Sequence, residues 1–223
     1  MLSIISSSPG ELEPVFQTLM GNAVRLCEAK FGALYLHEGG TLRMVASHNL
    51  PPAFGEARRQ RGSFQPPAGG TLHEVIRSKQ TVHIANLAAT QAYAKRHPVT
   101  VDSVELGGIR TSLGVPMLTE NELVGIIIIF RQEVRPFNDR QVALLTSFAH
   151  QAVIAIENAR LLNELRQRTT DLGEALEQQT ATADILAVIS SSQAQLKPVF
   201  ETIVDKTTRI CKATFACLGL FEG

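Results

Sequence analysis

Arg110-Thr111-Ser112 is the polar cluster in this sequence whose residue types and spacing best suit binding. It follows Gly107-Gly108 and opens a predicted strand, so a guanidinium and two hydroxyls could converge on an anion. The competing reading is a solvated strand start with ordinary β-propensity. Lys95, Arg96 and His97 could join the cluster from the preceding loop, where a charge run is otherwise plain surface. No metal site is expected, because His73, His83 and His97 stand apart and no second His lies at helical spacing to complete a ligand set. Cys27, Cys211 and Cys217 lack Cys-x2-Cys spacing and read as small buried hydrophobes in a reducing compartment.

The elements that must position these residues follow from hydrophobic periodicity. Leu12, Val15, Phe16, Leu19, Ala23, Leu26 and Cys27 line one face of a helix ending near Lys30. Ser8 with Glu11, and Pro9 at the first helical position, opens it as a capping box; Ser192 and Gln195 repeat the device later. Residues 31–37 and 41–47, joined by Glu38-Gly39-Gly40, read as a β-hairpin. Residues 53–61 form a short basic helix or loop between proline-rich segments. Thr71 with Glu74 makes another capping box, opening a helix to Ser78. Residues 81–84 form a short strand, and 88–108 a long loop with a helical turn around 91–95, of the kind that often carries function. Residues 111–118 and 123–131 pair as a second hairpin. The latter strand is apolar on both faces, so it should be central, with helices on at least one side. Asn138 with Gln141 caps the exit helix.

Along that helix Val142, Leu145, Ala149, Ala152, Ile156 and Ala159 alternate three and four apart, one stripe of coiled-coil type. The pattern can stay helical from Phe137 to Ser192, about 55 residues or roughly 80 Å. So long a helix needs a partner, most simply the same helix in a second chain. The stripe loses phase over 159–165 and resumes at Leu172 and Leu176, so pairing should be firm first and loose over 169–182. Residues 2–39 and 186–223 align at a constant offset with 18 of 38 positions identical, which marks a duplication. A lone helix and strand cannot close a core, so the second copy, and with it the chain, reads as a fragment or truncation.

Composition narrows the function classes. Among 223 residues, 21 basic and 21 acidic side chains cancel, which leaves no global electrostatic case for nucleic acid or an anionic membrane. The longest apolar run, Leu123-Val-Gly-Ile-Ile-Ile-Ile-Phe130, is far shorter than the roughly 20 residues that span a bilayer. No basic n-region or cleavage site follows Met1. A cytoplasmic protein without membrane insertion is expected.

The order helix, hairpin, irregular helical insert, hairpin and exit helix resembles a GAF domain. So do Gly114-Val-Pro-Met-Leu118, Leu123-Val-Gly-Ile-Ile-Ile128 and Arg135-Pro-Phe-Asn-Asp139. Phe148-Ala-His-Gln-Ala-Val-Ile-Ala-Ile-Glu-Asn-Ala-Arg160 is similar to the C-terminal GAF helix of bacterial sensor histidine kinases, and residues 185–200 to the junction between tandem GAF domains. The resemblance implies an α+β fold, with a central antiparallel sheet of about six strands flanked by helices. It also implies a small-molecule pocket between the sheet and the insert, here about 52–109, with Arg110, Thr111, Ser112 and His97 as candidates at its rim.

Family ligands include cyclic nucleotides, bilins, haem and nitrate. The cyclic-nucleotide pattern Asn-Lys-Phe-Asp-Glu is met here by Phe137 and Asp139 only. Bilin attachment needs a Cys that the insert lacks, and haem an axial His for which His73, His83 and His97 are poorly placed. Methionine-sulfoxide reduction, a distant alternative, needs two Cys near the pocket; the complete domain has Cys27 alone. His150 is followed by Gln151-Ala-Val-Ile, unlike a kinase phosphoacceptor box, and no ATP-binding glycine boxes occur.

The expectation is therefore a non-catalytic sensory module with an unknown small-molecule ligand and no assignable cofactor. It comprises an incoming helix end (1–10), a GAF domain (11–160), a signalling helix (161–191) and the stub of a second GAF domain (192–223). A homodimer through the exit helix would relay to a downstream kinase or other output domain. The alternative is a ligand-free dimerisation and relay module.

Overall fold

The strand carrying Leu123-Val-Gly-Ile-Ile-Ile-Ile-Phe130 is central, as its two apolar faces require. A computed structural model describes residues 9–120, 122–191, 196–210 and 213–218. One antiparallel sheet runs in the order β2 (Thr41–His48), β1 (Phe31–Glu38), β5 (Glu122–Arg131), β4 (Thr111–Thr119), β3 (Val82–Ile84). It has five strands among the described residues, against the six or so that the resemblance suggested.

Alternation along the strands builds two cores. Ile127 and Ile129 of β5, with Leu34 and Leu36 of β1 and Leu113, Val115 and Met117 of β4, pack under α1 (Pro9–Leu26) and the first part of α6 (Asp139–Ser191). Ile126, Ile128 and Phe130, with Phe31 and Tyr35, face the insert on the other side. Each large apolar side chain buried this way contributes about 1.5–3 kcal/mol.

The insert is more regular than its sequence suggests. It contains α2 (Pro52–Arg61), α3 (Thr71–Ser78), a 3-10 turn over Leu87–Ala89, α4 (Gln91–Ala94), α5 (Pro98–Val101) and a π turn over Asp102–Leu106. The Asn86 and Thr90 side chains accept from Ala88 N–H and Tyr93 N–H, and these caps let two very short helical pieces exist.

Two capping boxes have different outcomes. Asn138 and Gln141 cap α6 reciprocally, at 3.0 Å for Gln141 N–H to Asn138 Oδ1 and 3.1 Å for Asn138 N–H to Gln141 Oε1. Thr71, by contrast, is not the cap of α3. Gly70 holds that position without a side-chain bond, and the Thr71 hydroxyl turns to Ser112. Pro9 does start α1, while Ser8, Ser192 and Gln195 lie outside the described residues. The helix stops at Leu26, before the expected Lys30, and Glu28 takes a positive φ of 52°.

The chain divides into compact units at residues 1–160 and 161–223. In the second unit α7 (Leu196–Ile210) returns alongside α6, where Lys206 pairs with Asp184 and Ala181 is buried. Residues 213–218 form no strand, and Phe215 is 86% exposed. α6 is long and apolar enough to cross a membrane by length and composition alone. Its most apolar part, however, supplies Leu145, Phe148, Ala149, Ala152, Val153 and Ile156 to the first unit's core.

Candidate functional site

A cleft opens between the insert-facing side of the sheet and α2, α3 and α5. Tyr35, Ile128, Phe130 and Ser112 form its floor, and Phe54, Arg58, Thr71, Leu87, Val99, Thr100 and Ser103 its walls. Its volume is about 40 Å³. Ser112 faces the cleft because Leu113, Val115 and Met117 of the same strand face the other core. Gly114, next on the cleft side, lets α3 approach closely. A Cβ there would lie 3.0 Å from Thr71 Cγ2 and 3.1 Å from Val75 Cγ2.

Arg58 dominates the cleft. It sits one helical turn after the buried Phe54, on the inner face of α2, and is 4% exposed. Nη2 donates to Val99 O at 3.0 Å and to Ser103 Oγ at 2.8 Å. The guanidinium carbon stands 4.8 Å from the Phe54 ring centroid and 5.2 Å from that of Phe64, within cation–π range. Nε and Nη1 are buried with no acceptor. Burial disfavours the charged form and lowers its pKa, while Tyr35 and Asp102 act the other way. Asp102 itself is paired with Arg61 at 2.5 Å.

In the same cleft, the Thr71 and Ser112 hydroxyls lie 2.6 Å apart and buried. Ser103 Oγ also donates to Val99 O at 2.8 Å.

Of the binding candidates Arg110, Thr111, Ser112 and His97, Ser112 alone lines this cleft. Arg110 is turned to backbone, with Nη1 3.1 Å from Ile109 O. Thr111 is fully buried as a tie between segments. Its hydroxyl lies 2.8 Å from Ala85 O and 2.9 Å from Glu133 O, and it accepts Arg135 N–H at 3.1 Å. His97 precedes α5 with Nδ1 buried and unpartnered, away from the cleft lining. Arg96 pairs with Glu105 at 2.6 Å on the surface. Arg58 was hidden in a basic run, Arg58-Arg59-Gln60-Arg61, and the usable signal was its i+4 spacing from Phe54. No grouping of His, Cys, Asp and Glu able to hold a metal occurs among the described residues.

The other buried cation among the described residues ties the exit helix to the sheet. Arg131, at the end of β5, donates from Nη1 to Arg135 O and Pro136 O at 2.8 and 2.9 Å, and from Nη2 to Cys27 O at 3.1 Å and Gln141 Oε1 at 3.3 Å. Its guanidinium carbon is 4.0 Å from the Phe137 ring centroid.

Sheet order, helix placement and the insert-side cleft define an α+β module of the GAF type. The GAF domain family model matches residues 11–156, and the chain belongs to the GAF domain family. Such domains are generally non-catalytic sensory or regulatory parts of signalling proteins. Similar solved structures include a GAF domain/HD domain protein from Geobacter sulfurreducens, at 18% identity and TM-score 0.58, covering 70% of this chain and 97% of that one. A domain assigned to a two-component sensor histidine kinase protein of Sinorhizobium meliloti 1021 matches at 18% identity and TM-score 0.56, with the same coverages. The GAF domain of a phosphoenolpyruvate-protein phosphotransferase from Coxiella burnetii matches at 20% identity and TM-score 0.54, covering 73% of this chain and 96% of that one. At these identities the likeness is one of fold.

Proposed function

We propose that this chain is a non-catalytic sensor that binds a small molecule in the insert-side cleft. It relays occupancy through α6, paired with the same helix of a second copy, to a downstream output such as a histidine kinase, in the cytoplasm. One observation carries the binding half: Arg58 is buried in the cleft with Nε and Nη1 lacking acceptors. Buried donors are almost always matched in folded proteins, so an occupant that supplies acceptors completes this site. Occupancy shifts helix packing only to the extent that the ligand binds the two arrangements unequally.

A thermal-shift screen of the chain against small anions, nucleotides and tetrapyrroles tests it. Saturable stabilisation by at least one compound is expected; a flat response across the whole set removes the binding half. A ligand-free dimeriser and relay is the second reading, favoured by Leu161, Leu162, Leu165, Leu172 and Leu176, all exposed along α6. Both readings need a dimer. Sedimentation at tens of micromolar that shows only monomer sinks the relay in either form.

A further inference from the structure

We infer that the cleft is a receptor for a compact oxyanion, held by the Arg58 guanidinium and the Thr71–Ser112 hydroxyl pair. This rests on the reading that the cleft takes a ligand, and it names the ligand's chemistry. A guanidinium remains protonated in proteins, so the fold keeps a cation almost wholly out of water. Among the described residues no carboxylate bonds to it, and Asp102, the acid whose field reaches it, is engaged by Arg61. A water molecule would satisfy hydrogen bonds and leave the charge uncompensated. An anion does both, and two opposite charges together tolerate a low-dielectric site far better than one alone.

The unmatched guanidinium groups are all donors. Nε–H and the two N–H bonds of Nη1 have no acceptor. Of the two protons on the Thr71 and Ser112 hydroxyls, one is used between them, and the other is available to an acceptor in the cleft that both residues line. The spare guanidinium groups are donors and the hydroxyl pair can add another, so the complementary ligand presents acceptors to them. Phe54, Ile128 and Phe130 surround these donors with apolar surface, which strengthens a charge-assisted bond formed there.

Size sets the class. The cleft volume is small, about 40 Å³. That suits a compact occupant such as a short carboxylate or a small inorganic oxyanion.

The test titrates formate, acetate, nitrate and phosphate into the full chain at fixed ionic strength, with formamide and acetamide as neutral matches, by calorimetry and thermal shift. At least one anion should raise Tm saturably where its neutral match does not. Arg58→Met should weaken that Kd at least about tenfold, and Ser112→Ala about two- to fivefold, since the lost bonds are charge-assisted. Carboxylates ahead of inorganic ions, or the reverse, identifies the source of the oxyanion. Stabilisation by an amide or a larger ligand, with none by any anion, overturns the oxyanion while the ligand reading stands. No response to any compound overturns both. An anion effect that survives intact in both variants places binding elsewhere and also overturns this assignment.

Discussion

Nε2 of His83, on the edge strand β3, accepts the backbone N–H of Phe137 at 3.2 Å, two residues before α6 begins. The edge strand of the sheet thus reaches the root of the exit helix through one imidazole. Accepting requires an unprotonated Nε2, and partial burial together with the Arg131 guanidinium keeps the His83 pKa below its usual 6.5. The unfolded chain therefore takes up this proton at higher pH than the folded one. The resulting stability is complete above about pH 6.5 and is lost as pH falls through that value toward the folded pKa. Urea midpoints should decline between about pH 7 and pH 5. His83→Gln should flatten that decline; an unchanged slope removes His83 as its source.

Arg131 is 2% exposed and satisfies backbone carbonyls from the end of α1 and from the segment before α6. Arg131→Ala leaves several of these buried and part-buried acceptors unmatched at once. A loss of roughly 3 kcal/mol or more is expected from equilibrium unfolding. Arg131→Lys, with a single ammonium in place of a planar fork, should recover less than half of it.

The Cys27 thiol is pushed up to about 11 by burial, against the lowering field of Arg131. Thiolate is the reactive form, so Cys27 should resist alkylation at pH 8 in the folded protein while the exposed Cys217 labels rapidly. Peptide mapping after brief exposure to iodoacetamide reads this directly. Fast native labelling of Cys27 would reopen a redox role.

Arg58→Met is expected to leave the ligand-free protein as stable as before, or up to about 2 kcal/mol more stable. The substitution removes an uncompensated buried charge. Val99 O also keeps its bond from Ser103 Oγ. A marked destabilisation would mean that Arg58 serves the fold first.

Much of the architecture was legible because strand and helix periods are properties of the sequence itself. The two-sided apolar strand is central, and the Asn138–Gln141 box caps α6 as its spacing predicts. Thr71 was misleading. Its spacing to Glu74 has the form of a cap, yet the hydroxyl prefers Ser112, which chain reversal brings across from a residue 41 positions away. Arg58 was illegible for the opposite reason. Charge runs are normally solvated, and Arg59, the next residue, does have a side chain 63% exposed. Only the packing of Phe54 against the sheet decides which arginine turns inward.

Gln141 gives the root of α6 a mechanical character. Its side-chain oxygen receives both Asn138 N–H and Arg131 Nη2, and its carbonyl receives Cys27 Sγ at 3.5 Å. A piston stroke or a one-residue screw at this end would shed all three bonds together and strip the helix of its cap. The helix is therefore mounted like a cantilever, clamped where it leaves the sheet. Any displacement it transmits is cheapest as flexure along the exposed length, where no such bonds have to break.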